Sequence, residues 1–196
     1  MNKFYIIFSL SLLVLFASCQ KESTTTTSPT MTLEIDGVAQ TTSNFNMTNT
    51  LTHLEEFGKP GRRMDIRATV GGSNSFILSA SVWDVQNPPT GGILVKSYDT
   101  NISGNNSTGP NQVCNPESGI NFCDGALGTY LQGSTSYVSE NVDGEPTGIV
   151  TITANDAANK TISGTFDFKV AEFGNSNAQP KRFTGSFSNL SYTVIN

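Results

Sequence analysis

From residue 64 onward, apolar and polar positions alternate along the chain. Met64, Ile66, Ala68 and Val70 share one face, with Asp65, Arg67 and Thr69 opposite. Phe76, Leu78, Ala80 and Val82 repeat the pattern. So do Val150, Ile152 and Ala154, with Thr151 and Thr153 outward. Ile162, Gly164, Phe166, Phe168 and Val170 alternate with Ser163, Thr165, Asp167 and Lys169. Successive strand side chains point to opposite faces, so repeated alternation predicts half-buried antiparallel strands. Turn signals separate them at Gly71-Gly72-Ser73-Asn74, Asn87-Pro88-Pro89, Asp143-Gly144, Asn155-Asp156 and Gly174-Asn175. No helical periodicity stands out in this body. His53 to Phe57 reads as one helical turn at most, and Gly58 to Arg63 as a solvated basic turn.

The C-terminal part is the clearest. Gly148–Ala154 and Thr161–Phe173 read as a hairpin, with Arg182–Val194 as a third strand. Ile162-Ser163-Gly164-Thr165-Phe166 and Phe183-Thr184-Gly185-Ser186-Phe187 are near copies, each with a glycine between inward apolar groups. Such a glycine bends a strand or leaves room for a neighbouring ring. Phe183, Gly185 and Phe187 share one phase, whereas Leu190, Tyr192 and Val194 occupy the other. The shift predicts a bulge near Ser188-Asn189. The expectation is one all-β domain over 31–196: an antiparallel β-sandwich or a meander β-barrel, with a calycin-like closure as the alternative.

The N-terminus follows a different pattern. Met1-Asn2-Lys3 precedes an apolar run from Phe4 to Ala17, broken only by Ser9 and Ser11. As a helix the run rises about 21 Å, short of a bilayer core of roughly 30 Å. It therefore reads as a signal peptide over 1–18. Phe16-Ala17-Ser18-Cys19 resembles the lipobox of bacterial lipoproteins, with Phe16 where Leu is usual. The resemblance implies cleavage before Cys19 and acylation of its thiol and new amine. Several acyl chains, at about 0.8 kcal/mol per buried CH₂, anchor a protein firmly. Gln20 is not the Asp that often retains lipoproteins in the inner membrane. Gln20-Lys21-Glu22 resembles export signals of surface lipoproteins in Bacteroidota, though only one acidic residue follows Lys21. The implied location is the outer membrane, with the domain facing outward. Residues 19–30 carry the lipidated Cys19 and a Ser/Thr tether with nothing to bury. The stretch from 20 to 30 spans at most about 36–40 Å.

Composition adjusts this picture. The 196 residues are 36% hydrophobic and 14% charged, with a formal net charge of −5. Part of the hydrophobic share belongs to the leader, so the body is more polar than the whole. Abundant Ser, Thr, Asn and Gly disfavour coiled coils and long helices. An acidic balance argues against a nucleic-acid partner. Of the three cysteines, Cys19 is reserved for lipid, which leaves Cys114 and Cys123. An exported protein meets an oxidising compartment, so these are expected to form a disulfide. In the chain-entropy model, closing their loop contributes roughly 2.7 kcal/mol. A zinc pair would need further Cys or His ligands at short spacing, and His53 is the single histidine.

No catalytic constellation emerges. There is no Gly-x-Ser-x-Gly elbow, and any Ser-His-Asp triad would have to use His53. Asp84, Asp99, Asp124 and Glu140 offer carboxylates without a distinctive glycosidase pair. Asp124-Gly125 and Asp143-Gly144-Glu145 lack an EF-hand pattern and read as turns. No metal, cofactor or catalytic residue is expected. Trp83 falls in phase with Ile77, Ser79 and Ser81, opposite the apolar face of its strand. That predicts a second-face ring able to stack on a sugar or pack against a partner.

A wider resemblance covers the body. Met31-Thr32-Leu33-Glu34-Ile35-Asp36-Gly37 opens it. Gly128-Thr129-Tyr130, Gly148-Ile149-Val150-Thr151-Ile152-Thr153 and the two glycine–aromatic strands follow in order. This series resembles small uncharacterised Bacteroidota lipoproteins with one β-rich domain. No aromatic follows Asp36-Gly37, and the cysteine-bearing loop is an elaboration. The resemblance implies a lipid-anchored binding or structural domain and carries over no active site. The leading expectation is a non-catalytic module for a glycan or protein partner. The alternative is a calycin-like barrel for a small apolar ligand.

Overall fold

The computed structural model describes residues 28–43, 49–56, 59–70, 76–84, 92–100, 114–115, 122–139, 147–175 and 177–195. For 43, 53–56, 59–61, 76–84, 114–115 and 122–123 the description is of the backbone alone. The expected signal peptide, Cys19 and most of the expected tether lie outside the described residues. All regular elements described are strands: β1 (Thr30–Ile35), β2 (Val38–Ala39), β3 (Thr42–Ser43), β4 (Thr50–Glu56) and β5 (Lys59–Val70). There follow β6 (Phe76–Asp84), β7 (Ser97–Thr100), β8 (Cys114–Asn115), β9 (Phe122–Cys123) and β10 (Gly125–Gln132). The series ends with β11 (Thr135–Val138), β12 (Gly148–Asp156), β13 (Thr161–Glu172), β14 (Lys181–Ser191) and β15 (Thr193–Ile195).

The main sheet runs β15-β4-β5-β6-β10-β7-β12-β13-β14-β1-β2, and β11 bridges β10 to β13. Strands β10, β7, β12, β13 and β11 therefore close a five-stranded ring, a small barrel with further strands on either side. The all-β expectation holds. The closure is not a pure meander, because β7 meets β10 in parallel at Thr100 opposite Ala126. After β14 the chain breaks at Tyr192, and β15 leaves to pair in parallel with β4. The expected third strand is thus two strands serving two neighbours.

Alternation predicts the core well. Met64, Ile66, Ala68, Val70, Ile162, Phe166, Phe168 and Val170 are all buried. The near-copy motifs pair with each other: Gly164 stands opposite Phe187, and Phe166 opposite Gly185. A Cβ on either glycine would collide with the ring facing it. Each glycine is therefore a seat for the opposing phenylalanine. The predicted bulge is present. Ile162 pairs with Leu190 but Gly164 with Phe187, and Asn189 takes a φ of 52°. Its N–H donates to Ser163 Oγ at 2.9 Å.

Three local expectations fail for identifiable reasons. Ala154 is exposed rather than inward, because a bulge between Ile152 and Ala154 shifts the register and carries Asn155 toward the interior. His53 belongs to strand β4, with no helical turn there. The basic segment is not a turn either: Lys59 to Arg63 lies in β5, and Arg62 is buried at 7% exposure.

The β2 edge is short. Leu33 O accepts from Gln40 N at 2.8 Å and Met31 O from Thr42 Oγ1 at 2.9 Å. These bonds occupy groups that an open edge would offer to another chain.

Candidate functional site

Antiparallel register assembles one corner of the domain. Residues directly opposite on neighbouring strands share a face. Thr52 pairs with Arg63, Arg63 with Trp83, and Trp83 with Gly125. The next row on this face is Thr50, Asp65, Ser81 and Leu127. Trp83 thus takes a register position of opposite phase to Val82, which stands across from the buried Met64, as its sequence phase predicts. Its side chain lies outside the described ones. In register, the position of Trp83 has Gly125 on one neighbouring strand and Arg63 on the other. Arg63 Nε donates to Asp65 Oδ1 at 2.9 Å, with side-chain exposures of 38% and 9%. A glycine-flanked aromatic beside a fixed donor–acceptor pair has the chemistry of a stacking platform with polar edges.

The cysteine hairpin joins the same corner. Cys114 and Cys123 stand directly opposite each other in the β8–β9 pair. Such residues hold their Cα atoms about 4.5–5.5 Å apart, within the span of about 4.4–6.8 Å that disulfides occupy. Cys123 runs straight into Asp124 and Gly125, the partner of Trp83. Sequence reading placed Trp83 and the cysteine pair separately, and strand pairing brings them together.

Asp124 anchors this corner to the ring. It is 1% exposed and accepts a short ion pair from Lys96 Nζ. The same ammonium sits 4.9 Å from the centre of the Tyr98 ring. Tyr98 is fully buried and donates to Leu94 O at 3.1 Å. Thr100 and Thr147 join hydroxyls at 2.9 Å beside the parallel β7–β10 contact. A buried ion pair holds only where each charge keeps its partner, so these groups fix the geometry between β7 and β10.

A polar cluster forms near the start of β5 and the ends of β12 and β14. Arg62 Nη1 donates to Gly92 O at 3.3 Å. Asn155 Nδ2 donates to Ile93 O at 2.8 Å, and Tyr192 Oη donates to Asn155 Oδ1 at 3.1 Å. Burial, and then the Asp156 carboxylate, push the Tyr192 hydroxyl above its ordinary pKa, while Arg62 acts the other way. Asp156 is held below the usual carboxylate range by the backbone N–H of Asn159 and then by its side-chain amide. Sequence reading missed Arg62, yet the signal was there: the two-residue period of Met64 and Ile66, extended backward, reaches it.

Two other surface features frame the domain. A groove of about 440 Å³ lies along β1, β2 and β14, lined by Thr32, Leu33, Glu34, Gln40 and Thr184 among others. At the end of β13 remote from Thr30, Phe173 and Leu131 are exposed at 69% and 40%. Leu131 stands opposite Ser136, whose carbonyl accepts from Phe173 N at 2.8 Å.

Of the carboxylates considered from sequence, Asp124 is tied to Lys96 and Asp99 is buried at 6% exposure. Asp84 ends β6, and Glu140, Asp143, Gly144 and Glu145 lie outside the described residues. His53 stands opposite Arg62 in register. Among the described residues no group of three or more His, Cys, Asp or Glu is placed to hold a metal ion. Nor is any described helix long and apolar enough to cross a membrane. Comparison with family models, with curated proteins and with solved structures finds no match to this chain.

Proposed function

We propose that this chain is a lipid-anchored protein of the outer membrane, facing outward, whose all-β domain binds a glycan or protein partner without catalysis. The observation that carries the reading is the Thr52–Arg63–Trp83–Gly125 row, an aromatic position flanked by glycine on one strand and by the Arg63–Asp65 pair on another. Such a row suits a sugar ring stacked on indole. The exposed Leu131 and Phe173 at the end away from Thr30 suit a protein contact. The apolar run ending at Cys19 supports the anchor, and the resemblance to Bacteroidota lipoproteins supports both anchor and compartment. The cross-strand register of Cys114 and Cys123 supports a disulfide that stiffens the Trp83 corner. Tyr98, Phe168, Phe183 and Met64 fill the interior, which favours surface recognition over carriage of an apolar ligand.

The test is binding of the protein to a glycan array, with Trp83→Ala and Phe173→Ser compared. Loss of glycan binding in Trp83→Ala with an unchanged melting temperature supports the platform. Hydrolysis of the arrayed sugars would overturn the non-catalytic reading. Labelled palmitate should enter the wild type and not Cys19→Ala, and mass spectrometry without reductant should find Cys114 and Cys123 two hydrogens lighter than free thiols.

A further inference from the structure

The five-stranded ring has one weak seam. On its strong side, β12 pairs with β13 from Gly148 to Asp156 and with β7 from Ser97 to Thr100. Between β7 and β10 the register holds at one position, Thr100 opposite Ala126. A parallel contact so short lends little ladder hydrogen bonding. Lys96 and Asp124 meet across this seam. Lys96 precedes Thr100 and Asp124 precedes Ala126, so both lie on the same side of the paired position.

Lys96 Nζ touches Asp124 Oδ2 directly. The carboxylate is wholly buried, whereas the Lys96 side chain is 23% exposed. The Tyr98 ring flanks the ammonium on another side. An ion pair in this place bears the desolvation of both charges. A neutral amide made from the same two groups does not.

We propose that Lys96 Nζ and Asp124 Cγ condense to an isopeptide bond that staples the β7–β10 seam. One proton passes from the ammonium to the carboxylate. The Nζ lone pair then attacks Cγ, and the C–N bond forms. A second Nζ proton goes to the departing hydroxyl, a C–O bond breaks, and water leaves. Nothing is oxidised or reduced, and no co-reactant is needed. Groups held in such contact react with an effective concentration of roughly 10⁵–10⁸ M. Water departs toward the exposed part of Lys96, and burial of Asp124 then limits hydrolysis.

The bond closes a loop from 96 to 124 and so constrains the unfolded chain. That gain is separate from the cost of charge burial in the folded domain. Cys114 and Cys123 both lie inside the loop, so their hairpin springs from a covalent base. The bond needs no ligand, and it stands or falls apart from the glycan reading.

A tryptic digest tests it. Trypsin cuts after Lys and Arg, and Lys96 is the one such residue between Arg67 and Lys160. Full-length protein is unfolded, reduced, alkylated and digested. Without the bond it yields peptides 68–96 and 97–160. Expected instead is one peptide, 68–160, lighter than its sequence by one water, because an acylated Lys96 is no substrate for trypsin. Lys96→Arg keeps the cation but does not condense, and should be cut after position 96 with no mass lost. Asp124→Ala removes the acceptor and should also be cut there. Wild-type cleavage after Lys96, or an uncut 68–160 peptide of full mass, overturns the proposal. A succinimide at Asp124-Gly125 loses the same water but leaves Lys96 open to trypsin, so a light 97–160 peptide overturns it too. So does a light 68–160 peptide from Asp124→Ala. The wild-type digest decides even where a variant fails to fold.

Discussion

The β13–β14 pair and the β5–β7–β10 corner are built from the same strand alternation, yet they hold together by different means. In β13–β14 the inward positions are glycine and phenylalanine. Phe168 and Phe183 are fully buried, with ring centres 6.0 Å apart, and Tyr130 lies 4.9 Å from Phe183. No charge is buried between them. In the corner Asp65 and Asp124 are buried, Asp65 against Arg63 and Asp124 against Lys96. The apolar pair is held by contact area, which tolerates small shifts. The charged corner is held by partners, so each group depends on another in a specific place.

Three substitutions probe this contrast, the largest expected effect first. Phe168→Ala removes a ring at the centre of the apolar pair and should destabilise the domain by about 3–5 kcal/mol in chemical denaturation. A loss below about 1 kcal/mol would mean that the core does not depend on these rings. In the corner, Lys96→Met takes the ammonium away from the buried Asp124 carboxylate and should cost about 3 kcal/mol. Adding Asp124→Leu should recover much of that loss, whereas two additive losses would show that the pair acts independently. The smallest effect belongs to the solvent-facing side of β13–β14, where Arg182 Nη2 meets Asp167 Oδ2 at 2.6 Å. The Arg182 hydrogen bond holds the Asp167 carboxyl below its ordinary pKa. A lowered folded pKa gives stability that is present above the ordinary carboxylate range and lost as pH falls through the folded value. Both side chains are largely exposed, so solvent screening leaves little. Asp167→Asn should melt within the scatter of surface substitutions at neutral pH, and its small deficit should vanish in acid. A deficit that persists in acid would mean the pair is not its source.

The two regions also differ in how far they could be read from sequence. The near-copy motifs announced strands, their inward faces and the bulge at Ser188-Asn189, because side-chain phase and glycine placement are local properties. In the corner the same reading found Trp83 on the second face and the cysteine pair, but not that Gly125 and Asp124 bring them together. Arg62 was assigned to a solvated turn because its charge was weighed above its phase. Ala154 was assigned inward because a bulge between Ile152 and Ala154 leaves no mark in a hydrophobic pattern.

By itself the sequence determined the strand periodicity, the apolar run that ends at Cys19 and the polar stretch that follows it. Each follows from neighbouring residues and covalent order. Only the tertiary structure decided that β11 and the parallel β7–β10 contact close a ring, that β15 leaves β14 for β4, and which charges find partners. Those outcomes depend on the register between strands far apart in the chain. A shift of one residue there turns every side chain to the other face, so burial and pairing of the charged positions are properties of the assembled sheet.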